Sequence, residues 1–428
     1  MSTPPSRSAL GRFLTLTGTA ARIAGGTVGQ RLLRGREGID WQPVGALLGE
    51  VLGEMKGPVL KLGQMAAQWQ DLLPEPIVQA LTRLQNQVPA LPFAELEAHL
   101  CRLYDGDLQR HFRHIEPQPC AAASLGQVHR AVARDGRPLM LKVQYPGMAE
   151  ICRADLAQLR RLLPLGRLLR APAGQLDGVY RELARSIEAE LDYALELERL
   201  KVYRRHFAAW PGLRLPEPCE ALCRPGVLAL DEVAGLPLSG IDRASVAVRQ
   251  RVAQTLVDWL VAQAFELGLL HADPHAGNFA YTEAGELVVY DFGCVQRLAP
   301  GVLQAYVDAY RALQAGSVER LERAFQALGT RQPASAPPWP LYRRLQALLH
   351  PVLQPGQPWD FAATRLHRQL LDLSPEVLGM LGSLQPSPTT LLVNRTLEGH
   401  YWNLARLGVP VALADALERG LRGAPPAG

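Results

Sequence analysis

Residues 271–293 read H-A-D-P-H-A-G-N-F-A-Y-T-E-A-G-E-L-V-V-Y-D-F-G, and they carry carboxylates and an amide at a spacing that suits phosphate transfer. Asp273 and Asn278 lie five positions apart, so one rigid loop can aim the carboxylate at an attacking hydroxyl or water and the amide at a metal ion. Asp291 follows the apolar run 287–290, so it would end a strand and hold the Mg²⁺ that bridges nucleotide phosphates. The stretch therefore predicts a phosphate-transfer site with bound metal.

Each half of this stretch also has an ordinary structural interpretation. A D-F-G tripeptide arises often by chance, and an Asp-Pro-His sequence can simply be a turn that caps a helix. Asp273 and Asp291 are eighteen residues apart, however, and a turn at 283–285 would join the two halves as a hairpin. In this combination the two motifs are typical of a kinase-like site.

The composition sets limits on the class of protein. A chain of 428 residues exceeds one ordinary domain, so two lobes with appendages are expected. The net charge of +4 is nearly balanced and does not favour nucleic-acid binding. The six cysteines include no C-x-x-C pair and no secretory signal peptide is recognised, which predicts free thiols in a reducing cytosol. The longest charge-free run, 377–394, is interrupted at 385–388 by Q-P-S-P, so no transmembrane helix is expected.

Lysine is scarce in this chain. Only four of the 45 basic residues are lysines, namely Lys56, Lys61, Lys142 and Lys201. Because arginine serves at almost every other position, a retained lysine indicates a place that requires a compact ammonium group.

The N-terminal part divides into two segments. Residues 1–40 form a basic leader, which we interpret as a flexible segment or a helix on an anionic membrane surface, with plain disorder and the start of the fold as alternatives. Residues 41–110 have helical apolar spacing and include K-L-G-Q at 61–64. On a helix Lys61 and Gln64 share one face, although such a tetrapeptide alone is usually a solvated surface.

Residues 111–233 have the pattern of a small N lobe. Three strands are predicted, at 115–117, 127–133 and 138–144. Between the first two lies a small-residue loop in the place where a protein kinase covers the nucleotide phosphates with a glycine-rich loop. Its candidate phosphate-binding residues are Ala121, Ala122, Ala123, Ser124 and Gly126.

Lys142 lies in the third strand, where a kinase keeps the lysine that holds the α- and β-phosphates. Helices are predicted at 149–170 and 177–207, and an acidic residue of the second helix should pair with Lys142. A buried strand at 227–233 would end in the hinge between lobes, where the backbone at Asp231 and Val233 would hydrogen-bond adenine.

Residues 234–331 form the predicted C lobe. A long helix at 244–269 would support the catalytic loop, and helices at 302–313 and 318–328 follow almost directly after Gly293. No A-P-E motif or long activation segment follows the D-F-G tripeptide, which argues against a peptide substrate. Residues 332–428 comprise a proline-rich linker and C-terminal helices. The predicted fold class is α+β: a two-lobed protein-kinase-like fold with a helical N-terminal extension and a helix-rich C-terminal lobe.

In this order the motifs resemble the AarF/UbiB family of atypical kinase-like proteins, which includes members required for ubiquinone biosynthesis. The matching segments are K-L-G-Q (61–64), A-A-A-S-L-G-Q-V-H (121–129), L-K-V-Q-Y-P-G (141–147), E-L-D-Y (190–193), H-A-D-P-H-A-G-N (271–278) and D-F-G (291–293).

The resemblance implies a role for each matching residue. Asp273 would be the catalytic-loop aspartate, Asn278 and Asp291 the metal ligands, and Glu196 the helix acid paired with Lys142. Lys61 and Gln64 would belong to an extension that folds over the site and meets Glu190 and Asp192.

The function implied is an ATP- and Mg²⁺-dependent atypical kinase or ATPase that supports isoprenoid-quinone biosynthesis or membrane-lipid handling. Its expected partners are ATP, quinone-precursor lipid and quinone-biosynthesis proteins, with no nucleic acid. The expected location is the cytoplasm, with peripheral contact to the inner face of the membrane through the basic leader. A nucleotide-gated scaffold or lipid chaperone, and a true protein kinase, are the alternatives.

Overall fold

The computed structural model describes residues 91–423 except 124, 163–172, 334, 365, 374–375, 378–379, 381–382 and 385–386. The predicted leader, most of the predicted extension, and with it Lys61 and Gln64, lie outside the described residues. The chain forms two compact units. Among the described residues, the first contains those from Leu91 to Leu197 and Pro218–Glu232, and the second contains Glu198–Glu217 and those from Val233 to Gly423.

The described residues combine helices with short strands, as the α+β prediction requires. The strands are β1 (Phe112–Ile115), β2 (Ala121–Ala123), β3 (Gly126–Ala133), β4 (Pro138–Gln144), β5 (Leu213–Arg214), β6 (Val227–Asp231), β7 (Leu236–Pro237), β8 (Leu269–His271), β9 (Phe279–Tyr281), β10 (Leu287–Val289) and β11 (Val295–Arg297). The α-helices are α1 (Phe93–Leu103), α2 (Met148–Leu162), α3 (Ala173–Leu191), α4 (Tyr193–His206), α5 (Val246–Ala262), α6 (Pro300–Ala315), α7 (Val318–Ala327), α8 (Trp339–Leu349), α9 (Leu366–Leu371), α10 (Pro388–Leu407) and α11 (Leu413–Gly423).

The first unit is built on an antiparallel sheet in the order β1-β3-β4-β6, with β2 paired to β3. Leu139, Leu141 and Val143 are fully buried on one face of β4 and join α1 in a core. Because side chains alternate along a strand, Lys142 lies on the opposite face. The predicted strands at 127–133 and 138–144 are confirmed. The strand predicted at 115–117 begins earlier, because Phe112 is anchored in this core.

The prediction of one continuous helix at 177–207 was wrong, because Asp192 separates α3 from α4. The carboxylate of Asp192 accepts a hydrogen bond from the Leu195 amide at 2.9 Å, and its carbonyl accepts one from the Glu196 amide at 3.1 Å. Asp192 therefore starts α4 as a capping residue does. The interruption places Glu196 in the first turn of a new helix.

The second unit combines helices with two small sheets, of order β5-β10-β9-β7 and β11-β8. In α5, Val252, Leu256 and Trp259 are fully buried. The helix predicted at 244–269 ends earlier, since a π-helical turn at Gln263–Leu267 follows α5 and Gly268, with φ of 64°, closes it in the left-handed region. The predicted helices at 302–313 and 318–328 correspond to α6 and α7.

Two expectations about the chain as a whole can be compared with the structure. All six cysteines are free. In the part of the chain that is described, no helix is both long and apolar enough to cross a lipid bilayer.

Gly126, at the start of β3, lies directly against the backbone of β4. A Cβ atom added here would overlap the carbonyl oxygen of Val143 and lie 2.9 Å from its carbonyl carbon. Backbone atoms cannot move aside cheaply, so we expect Gly126→Ala to lower the free energy of unfolding by about 2 kcal/mol or more. Urea denaturation followed by circular dichroism measures this change. Gly301→Ala is the control, since nothing lies within 4 Å of its added Cβ; equal losses in both variants would contradict the packing argument.

Candidate active site

The loop that carries Asp273 is held between two strand pairs of the second unit. β8 ends at His271 and pairs antiparallel with β11, and the amide of Ala272 donates to the carbonyl of Cys294 at 2.8 Å. The loop then closes in a short turn at Ala276–Asn278 and enters β9. Both ends of the loop are therefore fixed by backbone hydrogen bonds.

The hairpin of β9 and β10 brings the two predicted metal ligands to the same end of a sheet. Val289 pairs with Phe279, and the next amide, of Tyr290, donates to the carbonyl of Asn278 at 3.0 Å. Asp291 follows Tyr290 directly. The predicted hairpin thus places Asn278 and Asp291 on adjacent strand ends, as a shared cation requires.

The D-F-G segment is held by hydrogen bonds and by packing of its phenylalanine. The Gly293 amide donates to Oδ1 of Asp291 at 2.8 Å, and its carbonyl accepts a hydrogen bond from Arg199 at 2.6 Å. Phe292 is fully buried, with its ring centroid 5.0 Å from that of Tyr203 and 5.6 Å from that of His271.

His271, the last residue of β8, connects the strand before Asp273 to the D-F-G segment through a side-chain hydrogen bond. Its Nε2 lies 2.6 Å from the Asp291 carbonyl, which can only accept, so Nε2 carries the proton and donates. The His271 amide in turn donates to the side chain of Gln263 at 2.7 Å. Complete burial lowers the pKa of His271, so the ring is neutral at neutral pH.

Contacts with His275, Asn278 and Arg395 help to fix the position of Asp273. Its Oδ1 accepts a hydrogen bond from the His275 amide at 3.3 Å, and its backbone carbonyl accepts one from the Asn278 side-chain amide at 3.3 Å. Nη2 of Arg395 lies 3.9 Å from the same Oδ1. The amide nitrogen of Asn278 therefore faces the loop, which directs its oxygen away from the Asp273 carbonyl.

Helix α10 packs against the loop that carries Asp273. The sequence analysis did not predict this contact. Asn403 donates to the carbonyl of Pro274 at 2.8 Å, and a Cβ added at Gly399 would overlap the Pro274 ring. His400 is buried beside Phe279, at a ring distance of 5.6 Å, and burial together with neighbouring His271 lowers its pKa to about 3. The signal in the sequence was a row of polar or small residues at helical spacing inside an apolar segment.

In the first unit, Lys142 and Glu196 form the pair that the sequence predicts. Nζ of Lys142 lies 2.8 Å from both carboxylate oxygens of Glu196 and 5.1 Å from the centroid of the Tyr193 ring. The side chains are 15% and 2% exposed. Gln144, two residues further along β4, donates to the carbonyl of Leu191 at 3.2 Å, which ties the strand to the end of α3.

The predicted phosphate loop is shorter than expected. Ala121, Ala122 and Ala123 form β2, which pairs antiparallel with β3 up to Ala123 opposite Gly126. Alanine adopts extended backbone easily, so these residues join the sheet and do not form a free loop. Ser124 lies outside the described residues.

The predicted hinge and gating residues occupy defined positions. Asp231 ends β6, with its carboxylate 3.8 Å from Arg137, and the carbonyl of Val233 accepts a hydrogen bond from the Tyr290 hydroxyl at 3.0 Å. Glu190 is half-buried in the last turn of α3, and Asp192 caps α4.

The residues present suit Mg²⁺ that is bound together with a nucleotide. Within the described part of the chain, no group of three or more His, Cys, Asp or Glu side chains could hold a metal. Mg²⁺ usually takes one or two protein oxygens and completes its shell with phosphates and water. The Asp291 carboxylate and the Asn278 amide oxygen have the chemistry that such a set of ligands requires.

Comparisons with known proteins show which family this chain resembles. The family model described as the ABC1 atypical kinase-like domain matches residues 83–324. Atypical kinase COQ8B, mitochondrial, from Rattus norvegicus is 27% identical over 387 residues, which are 86% of this chain and 70% of that protein. An uncharacterized protein from Synechocystis sp. is 31% identical over 297 residues, which are 66% of this chain and 72% of that protein.

The solved structure of Rv3197 from Mycobacterium tuberculosis, in complex with erythromycin, is also similar. It has a TM-score of 0.62 and 25% identity, with 88% of this chain and 95% of that chain covered. Four other curated relatives are longer, and the chain spans between 38% and 48% of their length. The predicted kinase-like fold is confirmed.

Proposed function

This chain belongs to the ABC1 atypical kinase-like family, and from that premise we propose that it is an ATP- and Mg²⁺-dependent phosphotransferase or ATPase. The observation that carries the proposal is the hairpin of β9 and β10, which brings Asn278 and Asp291 together beside the loop of Asp273. This arrangement supports the assignment of Asn278 and Asp291 as metal ligands and of Asp273 as the nucleophile-orienting carboxylate in phosphoryl transfer.

In the proposed reaction each residue has one task. Lys142, held by Glu196, binds the α- and β-phosphates, while Asn278 and Asp291 hold the cation. Bound Mg²⁺ would neutralise charge on the phosphate oxygens. Asp273 orients the acceptor hydroxyl or water and takes its proton, as the acceptor oxygen bonds to the γ-phosphorus and the bond to the bridging oxygen breaks. ADP leaves with that electron pair.

A small acceptor or water suits the chain better than a peptide. After Gly293 the chain enters β11 and then begins α6 at Pro300, which leaves no length for an activation segment. We propose a lipid-linked acceptor in isoprenoid-quinone synthesis or membrane-lipid handling. The location would be cytoplasmic, with residues 1–40 touching the inner face of the membrane.

The remaining predicted residues belong to the same proposal. The backbone at Asp231 and Val233 would meet adenine, and the hairpin from Ala121 to Gly126 would cover the phosphates. Lys61 and Gln64 would close over the site and meet Glu190 and Asp192.

The test is ATP hydrolysis by the full chain as free Mg²⁺ is varied at constant ATP. We expect turnover to be lost in excess EDTA and restored by Mg²⁺. Asp291→Asn should raise the Mg²⁺ concentration for half-maximal rate at least about tenfold, since a ligand charge is removed. Asp308→Asn, at an exposed position of α6, is the matched control and should not change it. Turnover that persists in EDTA, or an unaltered Mg²⁺ dependence in Asp291→Asn, would reject the metal assignment.

A further inference from the structure

The loop at 271–278, which carries Asp273, contains no lysine or arginine. Protein kinases have H-R-D in this place, with an arginine directly before the aspartate, whereas this chain has Ala272. The Nδ1 atom of His275 accepts a hydrogen bond from the Gly277 amide at 3.1 Å, so this atom faces the loop backbone. A lysine or arginine beside Asp273 therefore belongs to another element.

Arg395 of α10 supplies that charge. Its side chain is only 6% exposed, and Nη2 lies 3.9 Å from Oδ1 of Asp273, whose side chain is 16% exposed. Nε and Nη2 of Arg395 are buried without a hydrogen-bond partner in the described part of the chain. A guanidinium group is costly to bury unless an anion compensates it. Closing the gap by about 1 Å would convert the ion pair into a charge-assisted hydrogen bond.

Arg395 is also firmly held against the loop. Arg395, Gly399 and Asn403 are spaced four residues apart, so they lie on one face of α10. Gly399 permits close approach to Pro274, and Asn403 donates to the Pro274 carbonyl at 2.8 Å. The helix is therefore fixed to the residue that follows Asp273.

We infer that Arg395 is a positioning residue that holds the Asp273 carboxylate oriented toward the acceptor. This inference rests on the proposed function, in which Asp273 takes the acceptor proton. Arg395 thus brings a guanidinium group to Asp273 from a helix more than a hundred residues away in sequence.

The experiment compares Arg395→Met, Arg395→Lys and the exposed control Arg406→Met on the same helix. For Arg395→Met we expect kcat for ATP turnover to fall about 10- to 100-fold while KM for Mg-ATP changes less than about threefold. Arg395→Lys should recover part of kcat, and Arg406→Met should match the wild type.

Several outcomes overturn the inference. An Arg395→Met variant with wild-type kcat, or one whose loss appears in KM for Mg-ATP and not in kcat, excludes the positioning role while leaving the proposed function intact. If Asp273→Asn keeps wild-type turnover, the proposed function fails and this inference with it. Should Arg395→Met not fold, the double variant Arg395→Met/Asp273→Asn decides, because removal of both charges restores folding only if Arg395 serves the ion pair.

Discussion

Asp273→Asn is expected to lower ATP turnover by about 100- to 10,000-fold while nucleotide binding stays within about threefold of the wild type. Asparagine has the same shape as aspartate, so the hydrogen bond from the His275 amide can be kept. It cannot take the acceptor proton, which is the task that we assign to this carboxylate. Steady-state ATP hydrolysis and equilibrium titration with a fluorescent nucleotide separate the two effects.

Asp308→Asn is again the matched control, since it exchanges the same groups at an exposed site. Equal turnover in Asp273→Asn and the wild type would contradict the catalytic assignment. A gene-deletion strain adds a second comparison. If Asp273→Asn loses turnover but restores the strain, nucleotide binding and not phosphoryl transfer is what the cell requires, and a nucleotide-gated scaffold becomes the better description.

The part of the site that is local in sequence was predictable. The turn Glu283–Gly285 joins two strands that pair residue by residue, so the relation of Asn278 to Asp291 follows from a hairpin of known geometry. The strand that carries Lys142 was predictable for a similar reason, since its apolar residues alternate and a four-residue turn precedes it.

The contribution of α10 was not predictable in the same way. Arg395 and Asp273 are brought together by packing of distant elements, and no local pattern indicates which partner a buried arginine will find. The interruption at Asp192 has a different cause. The residues on both sides favour a helix, and only the capping hydrogen bond to Leu195 decides that a new helix starts there.

Gly399 illustrates the same limit. A glycine inside a helix usually only weakens it, and the sequence gives no sign that a proline ring from another segment fills the missing side-chain volume. Only the contact between α10 and the loop that carries Asp273 shows why glycine is required at position 399.

Lys142→Met is expected to reduce both stability and function. Its partner Glu196 has a side chain that is 2% exposed, so removal of the lysine leaves a buried carboxylate without its ammonium partner. We expect a loss of about 3 kcal/mol or more in the free energy of unfolding, together with a loss of ATP affinity because the phosphate-binding charge is gone. Urea denaturation and nucleotide titration measure the two quantities.

The double variant Lys142→Met/Glu196→Leu separates these effects. Because it removes both charges, it should recover most of the stability but none of the ATP affinity or turnover. Lys201→Met is the matched control, since Lys201 pairs at 3.1 Å with Glu198 but the side chains are 33% and 65% exposed, and a pair so open to solvent contributes less than about 1 kcal/mol. If the double variant regains nucleotide affinity, Lys142 is a structural residue only. If it is no more stable than Lys142→Met, the buried Glu196 carboxylate is not the cause of the instability.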